Sequence, residues 1–208
     1  MHVAFDMDGV LLDSTADLSW LDRALDRTLR AFDLAPTDEN RRRLYPTNLR
    51  NIEAVAADLE LPAEALWERR HEEYVTEKTA AIEDGTIGPF EDLAELQRLA
   101  DQVPISIVSN SPQTVVDTFV ETTGLGPVVE QTIGRGDTLA AVEEMKPARA
   151  FYERLDAQVG ADHYVYVGDG QTDALFAQRT GMEFVHLDRD EGEVRSLDAA
   201  RRRIVARS

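Results

Sequence analysis

Residues 6–14 of the chain, DMDGVLLDS, follow directly on a short hydrophobic run, VAF, at residues 3–5. A run of this kind predicts a buried strand, and Gly9 suits the turn that would end it. Asp6 and Asp8 would then stand where the strand leaves the sheet, one carboxylate placed to attack and the other to move a proton. Two aspartates that merely stabilise a turn would have the same spacing. An EF-hand calcium loop fits less well, because its glycine belongs at the sixth loop position and Gly9 is the fourth.

The composition is that of an acidic globular protein. Of the 208 residues 43% are hydrophobic, and 40 Asp and Glu outnumber 22 Lys and Arg, which gives a formal net charge of -18. Such a surface repels nucleic acid, so we expect no nucleic-acid partner. The carboxylates belong either to an ordinary acidic protein or to a halophilic-type surface, adapted to high salt where their repulsion is screened. Only two of the basic residues are lysines, Lys78 and Lys146.

The chain contains no cysteine. This excludes a disulfide framework, a thiolate metal site and a cysteine nucleophile. No apolar stretch is long enough to span a bilayer, and the first strand begins at once, which leaves no room for a signal peptide. We therefore expect a cytoplasmic protein without a membrane partner, present as a monomer or a homodimer.

Strand and helix patterns alternate along most of the chain. Short apolar runs rich in β-branched residues predict strands at 3–5, 105–108, 128–133, 164–167 and 184–187. Patterns with helical spacing lie between the later runs. This alternation favours an α/β fold whose parallel sheet is covered by helices on both faces. Pro112 and Pro147 are predicted to open helices, since proline is favoured at the first helical position.

The segment between residues 14 and 85 interrupts this alternation. It shows helical spacing but no convincing strand, and three prolines divide it. An insertion directly after the first strand lies over the carboxyl ends of the strands, where open α/β sheets bind ligands. We therefore predict two domains: a catalytic core of residues 1–13 and 86–208, and an α-helical cap of residues 14–85.

Further polar groups follow the later strands. Residues 109–112, SNSP, offer a hydroxyl and backbone N–H groups to an anion such as phosphate, although Ser and Asn are also ordinary helix caps. Residues 168–173, GDGQTD, carry two acids that either bind a hard cation through oxygen or simply cap the next helix. Lys146 either offers a compact positive charge to a phosphate or carboxylate or is a stray surface lysine.

The carboxyl ends of parallel strands share one edge of a sheet, so these groups are expected to converge. Together they supply a nucleophile, a proton donor, oxygen ligands for a cation and positive groups for phosphate oxygens. That combination is typical of phosphoryl transfer.

The order of the motifs, DMDGVLLDS, VSNSP, KP and VGDGQTD, resembles the four motifs of the haloacid dehalogenase superfamily. The resemblance covers nearly the whole chain, and it implies a Rossmann-like three-layer core with an inserted helical cap, as in the phosphoglycolate phosphatases. It implies that Asp6 is the nucleophile and forms an aspartyl-phosphate, and that Asp8 protonates the leaving oxygen and then activates water. Ser109 would hold a phosphate oxygen with Asn110 close by. Lys146 would neutralise the phosphate and the Asp6 carboxylate.

The same resemblance implies a magnesium ion as cofactor. Asp6, the backbone carbonyl of Asp8 and Asp169 would bind it, with Asp173 as an accessory acid. Magnesium keeps several waters and uses few carboxylates beside a substrate phosphate, which agrees with this small ligand set. The implied activity is magnesium-dependent hydrolysis of a small phosphorylated metabolite.

Other activities are weighed against this one. Asp8 argues against a dehalogenase, which needs no acid two residues after its nucleophile, and the lack of a membrane segment argues against an ion pump. A sugar-phosphate mutase stays open, because it uses the same four motifs with a similar cap. A non-catalytic phosphate-binding or receiver-like module also places acids at strand ends, but it has no cap insertion and lacks this motif order.

Substrate identity would be set by cap residues that face the core. Phosphoglycolate is a common substrate of the helical-cap members and is the substrate expected here. Arg50, in the turn and helix that follow Tyr45, could bind its carboxylate. A surface arginine on a cap helix is an equally good interpretation of the same residue.

Overall fold

The computed structural model describes residues 1–45 and 48–206. Its strands are, in chain order, β1 (His2–Phe5), β2 (Leu12–Asp13), β3 (Gly88–Pro89), β4 (Ile105–Pro112), β5 (Gln131–Arg135), β6 (Tyr164–Gly168) and β7 (Glu183–His186). The main sheet has the order β5-β4-β1-β6-β7, and each neighbouring pair in it is parallel. The short strands β2 and β3 form a separate antiparallel pair.

Helices fill most of the connections between strands. They are α1 (Ser19–Ala31), α2 (Asp38–Leu44), α3 (Leu49–Asp58), α4 (Ala63–Glu83), α5 (Glu95–Ala100), α6 (Gln113–Thr123), α7 (Ala150–Val159), α8 (Gln171–Thr180) and α9 (Leu197–Val205), with a 3-10 turn at Ala140–Glu144. In the part of the chain that the structure describes, none of the helices combines the length and the apolar character needed to cross a membrane.

The main sheet buries both of its faces. Alternate side chains of a strand point to opposite faces, and in β1 Val3 and Phe5 join one hydrophobic cluster while Ala4 joins another. The first cluster includes residues of α5, α6 and α9. The second includes Phe151 of α7 and Phe176 of α8. The predicted α/β fold, a parallel sheet between two helical layers, is therefore confirmed.

The chain between β2 and β3 contains α1 to α4 and, among its described residues, no strand. Leu21, Leu25 and Leu29 form the buried face of α1, which packs against α4. Helix α4 also packs against α6 of the sheet layers. It therefore helps to link the helical segment to the sheet layers, together with α3, which contacts the 3-10 turn. The division of the chain into a core and a cap domain stays a prediction.

Two elements begin three residues later than the sequence predicts. The strand predicted at 128–133 starts only at Gln131, because the two residues before Glu130 form a turn by donating to the carbonyl of Leu125. The helix predicted to open at Pro147 begins at Ala150. The N–H and the carbonyl of Lys146 are both hydrogen-bonded to the side chain of Asn110. These bonds keep the residues around Pro147 outside the helix.

Candidate active site

Asp6 leaves the end of the central strand β1 in a buried position. Its N–H donates to the carbonyl of Val167 in β6 at 2.8 Å, so sheet pairing continues one residue beyond the strand. Its Oδ1 accepts a hydrogen bond from the N–H of Met7 at 2.7 Å and lies 2.9 Å from Lys146 Nζ. The side chain of the predicted nucleophile is thus fixed by its own backbone and by the predicted cation.

Lys146 lies at the centre of a buried charged cluster. Its Nζ is 2.7 Å from Asp173 Oδ1 and 2.6 Å from the hydroxyl of Tyr166, in addition to its contact with Asp6. Burial alone would lower the pKa of this lysine, but the charges of Asp6 and Asp173 more than compensate and raise it. Lys146 therefore remains charged and holds two carboxylates together.

Asn110 and Ser109, at the end of β4, line the cleft beside this cluster. Asn110 Oδ1 accepts a hydrogen bond from the N–H of Lys146 at 2.7 Å, and its Nδ2 donates to the carbonyl of Lys146 at 3.1 Å. Both ends of the amide therefore position the lysine. The buried Ser109 Oγ accepts a hydrogen bond from the N–H of Ser111 at 3.1 Å.

Asp8 has a different set of partners, and one of them comes from α4. Lys78 Nζ lies 2.6 Å from Asp8 Oδ1 and 2.9 Å from Ser111 Oγ. Ser111 Oγ in turn donates to Asp8 Oδ2 at 2.7 Å. Lys78 is 1% exposed and lies close to the rings of Trp20 and Tyr74. The second aspartate of the opening run is thus bound to the helical segment.

The two aspartates consequently have opposite electrostatic environments. Burial raises the pKa of Asp6 to about 7; Lys146 opposes the shift, while Asp173 and Asp8 reinforce it. Burial also acts to raise the pKa of Asp8, but the charge of Lys78 and hydrogen bonds from Lys78 and Ser111 bring it below its ordinary value. Asp8 is therefore held as a carboxylate in this arrangement.

Asp169 and Asp173 follow β6 on the other side of the cleft. One carboxylate oxygen each from Asp6, Asp169 and Asp173 can be chosen such that all three lie within 4.8 Å of one another. Desolvation raises the pKa of Asp169 to about 6, and the charge of Asp173 adds to the shift. Gly9 has φ +76°, and a Cβ there would lie 2.0 Å from Asp169 Oδ2. Only glycine at position 9 therefore leaves room for the Asp169 side chain.

This group of acids fits the implied magnesium ion. Its donors are carboxylate oxygens, which magnesium prefers, and mutual repulsion of the acids would be relieved by a divalent cation. Asp173 is already engaged, because its Oδ1 contacts Lys146 and Tyr166 and its Oδ2 accepts a weak hydrogen bond from the N–H of Gly170 at 3.3 Å. The Asp8 side chain lies outside the group of three acids.

The groups line one cleft of about 300 Å³. Of the site residues that the sequence predicts, the structure brings these together: Asp6, Asp8, Ser109, Asn110, Lys146, Asp169 and Asp173. A cleft of this size with a buried carboxylate that could attack, a second carboxylate, a lysine ammonium and oxygen ligands has the chemistry for transfer of a small phosphoryl group.

Arg50 does not join them. It is exposed on α3 and lines a separate groove that includes Glu53 and Glu143. The buried face of α3 is taken by Ile52 and Ala56, so Arg50 points elsewhere. Residues 46 and 47, part of the turn proposed to present it, lie outside the described residues.

Lys78 and Arg135 lie close to the predicted site residues, although neither of them was assigned from the sequence. Lys78 contacts Asp8, and Arg135, at the end of β5, lines a cavity that adjoins the cleft. Lys78 had one visible signal, since it is the second of only two lysines in the chain. Arg135 had another, since it ends a strand at the same sheet edge as the other site residues.

Comparison with known proteins agrees with this geometry. Residues 3–187 match the sequence profile of the family described as haloacid dehalogenase-like hydrolase. The chain belongs to that family. It is therefore an enzyme of the hydrolase type, and the resemblance noted from its motifs is confirmed.

Among its relatives are proteins named phosphoglycolate phosphatase. The one from Colwellia psychrerythraea is 26% identical over 193 residues, covering 88% of this chain and 82% of the relative. The one from Rhodobacter capsulatus is 27% identical over 187 residues, covering 87% and 81%. Both matches extend across most of either protein.

Solved structures share the fold. CbbY from Rhodobacter sphaeroides in complex with phosphate gives a TM-score of 0.65 at 18% identity, covering 94% of this chain and 91% of that one. A HAD phosphatase from Thermococcus onnurineus gives 0.62 at 20% identity, covering 98% and 97%. At these identities the likeness supports the architecture of this haloacid dehalogenase-like hydrolase rather than its substrate.

Proposed function

We propose that this enzyme is a magnesium-dependent phosphatase that hydrolyses a small soluble phosphomonoester through an aspartyl-phosphate on Asp6, with phosphoglycolate as its expected substrate. The observation that carries the proposal is the buried contact of Asp6 with Lys146 at 2.9 Å, with Asp8 beside it in the same cleft. The relatives named phosphoglycolate phosphatase support the substrate. A chain without cysteine accords with action in the reducing cytoplasm.

In the first step an Asp6 carboxylate oxygen attacks phosphorus, the bond to the ester oxygen breaks, and the leaving oxygen takes a proton from Asp8. Lys146 stabilises the negative charge that gathers around Asp6 and the phosphoryl oxygens, and the Ser109 hydroxyl lies within the same cleft. Magnesium bound by Asp6 and Asp169, with Asp173 beside them, would neutralise further charge on the phosphoryl group.

In the second step Asp8 takes a proton from water, the water oxygen attacks phosphorus, and the bond to Asp6 breaks to release phosphate. The lowered pKa of Asp8 suits this basic role and opposes the acidic role of the first step. The contact between Asp8 and Lys78 therefore has to loosen before the first step. Lys78 belongs to α4 of the helical segment, so movement of that helix relative to the sheet would release the acid.

The test is phosphate release from phosphoglycolate and other small esters with added magnesium. Asp6→Asn should lower turnover by about 10⁴-fold or more, since it removes the nucleophile but keeps the shape, and a chelator should abolish the activity of the unmodified enzyme. Asp162→Asn, on the exposed surface, is the matched control. Undiminished turnover by Asp6→Asn would overturn the proposal, and interconversion of sugar phosphates without net phosphate release would indicate a mutase.

A further inference from the structure

A second cavity of about 220 Å³ adjoins the catalytic cleft. The two share Asp8 and Asn110 in their linings, so they meet at the residue that handles the proton. The second cavity is also lined by two arginines, Arg70 of α4 and Arg135 of β5. Its charge is thus opposite to that of the acidic cleft beside it.

Arg135 is buried without a carboxylate contact among the described residues. Only 3% of it is exposed, and its Nη1 donates to the carbonyl of Gly136 at 3.1 Å. Nη1 also lies 3.2 Å from His71 Nδ1. Within residues 1–45 and 48–206 its Nε is buried without a hydrogen-bond partner, and the ion pairs of that part do not include Arg135. A buried guanidinium with an unused donor is costly unless a ligand satisfies it.

His71 and Trp67, both of α4, hold this guanidinium in place. The carbon at the centre of the guanidinium lies 4.6 Å from the centre of the Trp67 ring. Because an arginine can only donate, His71 Nδ1 must accept, which requires it to be unprotonated. Burial, followed by the charge of Arg135, lowers the pKa of His71 to about 4, so the imidazole is neutral at neutral pH.

Arg70 brings a second positive charge to the same cavity. It is 4% exposed, and it donates from Nε to the carbonyl of Leu44 at 2.8 Å and from Nη2 to the carbonyl of Tyr45 at 3.3 Å. The two guanidiniums are close enough for the charge of Arg70 to help burial lower the pKa of Arg135 to about 10. Two buried cations of like charge are arranged for an anion, because an anion between them would remove their repulsion.

We propose that this cavity is a subsite for a second anionic group of the substrate, carried on the leaving alcohol and bound by Arg135 with Arg70. The proposal rests on the proposed function, in which Asp8 protonates the leaving oxygen. The rest of the leaving group then lies on the side of Asp8 that faces away from Asp6. Asp8 stands between the cleft and this cavity, which puts the phosphoryl group at Asp6 and the second anion at the arginines. Carboxylate and phosphate share the required chemistry.

The first test compares matched esters with the unmodified enzyme and magnesium. Phosphoglycolate and ethyl phosphate differ by a carboxylate in place of a methyl group, and ethylene glycol bisphosphate replaces the carboxylate by a phosphate. We expect kcat/KM for one or both anionic esters to exceed that for ethyl phosphate by about 10- to 100-fold, the range for a charged hydrogen bond. The better anionic ester identifies the group. Equal values for all three would overturn the subsite and leave the phosphatase standing.

The second test changes Arg135, the arginine without an anionic partner among the described residues. Arg135→Met keeps an apolar side chain against Trp67, and we expect it to lose the preference for anionic esters mainly through a higher KM for them, with a much smaller effect on ethyl phosphate. Arg135→Lys should restore part of the preference, since it keeps the charge but not the planar fork. Arg42→Met, exposed on α2, is the matched control. A preference kept in full by a folded Arg135→Met protein would contradict the proposal.

The third test measures binding rather than turnover, and it applies even if no ester is hydrolysed. Calorimetry with magnesium present would compare phosphonoacetate with ethylphosphonate, which differ in the same way and resist hydrolysis. Tighter binding of phosphonoacetate by about 10-fold or more, lost in Arg135→Met, supports the subsite. Equal binding of the two phosphonates overturns it. If Arg135→Met does not fold, the comparison of the two ligands on the unmodified protein decides between these outcomes.

Discussion

The two lysines of the chain lie in two regions of the site; each acts to lower the pKa of an aspartate that it contacts, but the net shifts at Asp6 and Asp8 are opposite. Lys146, from the sheet layers, lies between Asp6 and Asp173, and the pKa of Asp6 still rises to about 7. Lys78, from the helical segment, contacts Asp8 alone among the acids that the structure describes, and the pKa of Asp8 falls. A lysine–aspartate contact thus accompanies a raised pKa at Asp6 and a lowered pKa at Asp8.

The difference shows that the balance of charges around a carboxylate decides its state, rather than the presence of a partner. The Lys146 ammonium contacts two buried acids, Asp6 and Asp173, and Asp169 lies close to them. At Lys78 one ammonium and the Ser111 hydroxyl serve one acid. Two aspartates only two residues apart thus have different pKa values, as the separate tasks proposed for them, attack and proton transfer, require.

The largest effect is expected from Lys146→Met. It leaves Asp6 and Asp173 buried without their shared cation, so the free energy of unfolding should fall by about 3–5 kcal/mol. Turnover should fall by about 10³-fold, because a positive group beside the transferred phosphoryl is lost. Denaturant unfolding and phosphate release measure the two. Full stability of this variant would show that the acids do not depend on Lys146.

A smaller effect is expected from Lys78→Met. Asp8 keeps Ser111 and lies partly open to solvent, so the protein should stay folded. Turnover should fall by about 10- to 100-fold through kcat, since the pKa of Asp8 rises without Lys78 and less of Asp8 is then in the carboxylate form that the second step requires. Steady-state kinetics separate kcat from KM. A rise in KM with kcat unchanged would place Lys78 in substrate binding instead and break the comparison between the two lysines.

The smallest effect is expected at His2, at the other end of β1. There burial is the main cause of the pKa shift. Burial, followed by the charge of the N-terminus, lowers its pKa from 6.5 to about 4. The unfolded chain therefore binds more protons between those values, and the stability that neutral His2 contributes above pH 6.5 is lost as the pH falls towards 4.

Replacement by His2→Gln should remove this dependence. Relative to the variant, the unmodified protein should lose about 1–2 kcal/mol of unfolding free energy between pH 7 and pH 5, with no change in activity. Unfolding curves at the two pH values measure it. Parallel losses in both proteins would mean that the pKa of His2 is the same in the folded and the unfolded chain.

The sequence predicts the core of the site because that part depends on local patterns. Asp6, Ser109 and Asp169 each follow an apolar run, and parallel strands bring such positions to one edge. Lys146 follows no strand, and its place depends on the bonds from Asn110, which is 36 residues away. Its rarity as one of two lysines draws attention to it, and the family motif gives it a role.

The helical segment is less predictable from sequence because its contacts join distant positions. Lys78 and Asp8 are 70 residues apart, and nothing in the helical spacing of α4 indicates which of its residues meets the sheet. From the sequence, the charge of Arg50 near a turn suggests a substrate contact. In the structure, Ile52 and Ala56 form the buried face of α3, and Arg50 lies on the exposed face. Arg135 and Arg70 line one cavity because side chains of α4 reach the end of β5, as the contacts of His71 and Trp67 with Arg135 show.

The small sheet of β2 and β3 has a consequence for engineering. Leu12 pairs with Pro89 and Asp13 with Gly88, so the chain departs and returns at neighbouring points. A different insertion could be grafted between these strands without displacing β1 or β4. The graft would discard Lys78 and Arg70 and retain Arg135. The new insertion would therefore have to provide a cation next to Asp8. Without one, the pKa of Asp8 would no longer be lowered as it is by Lys78.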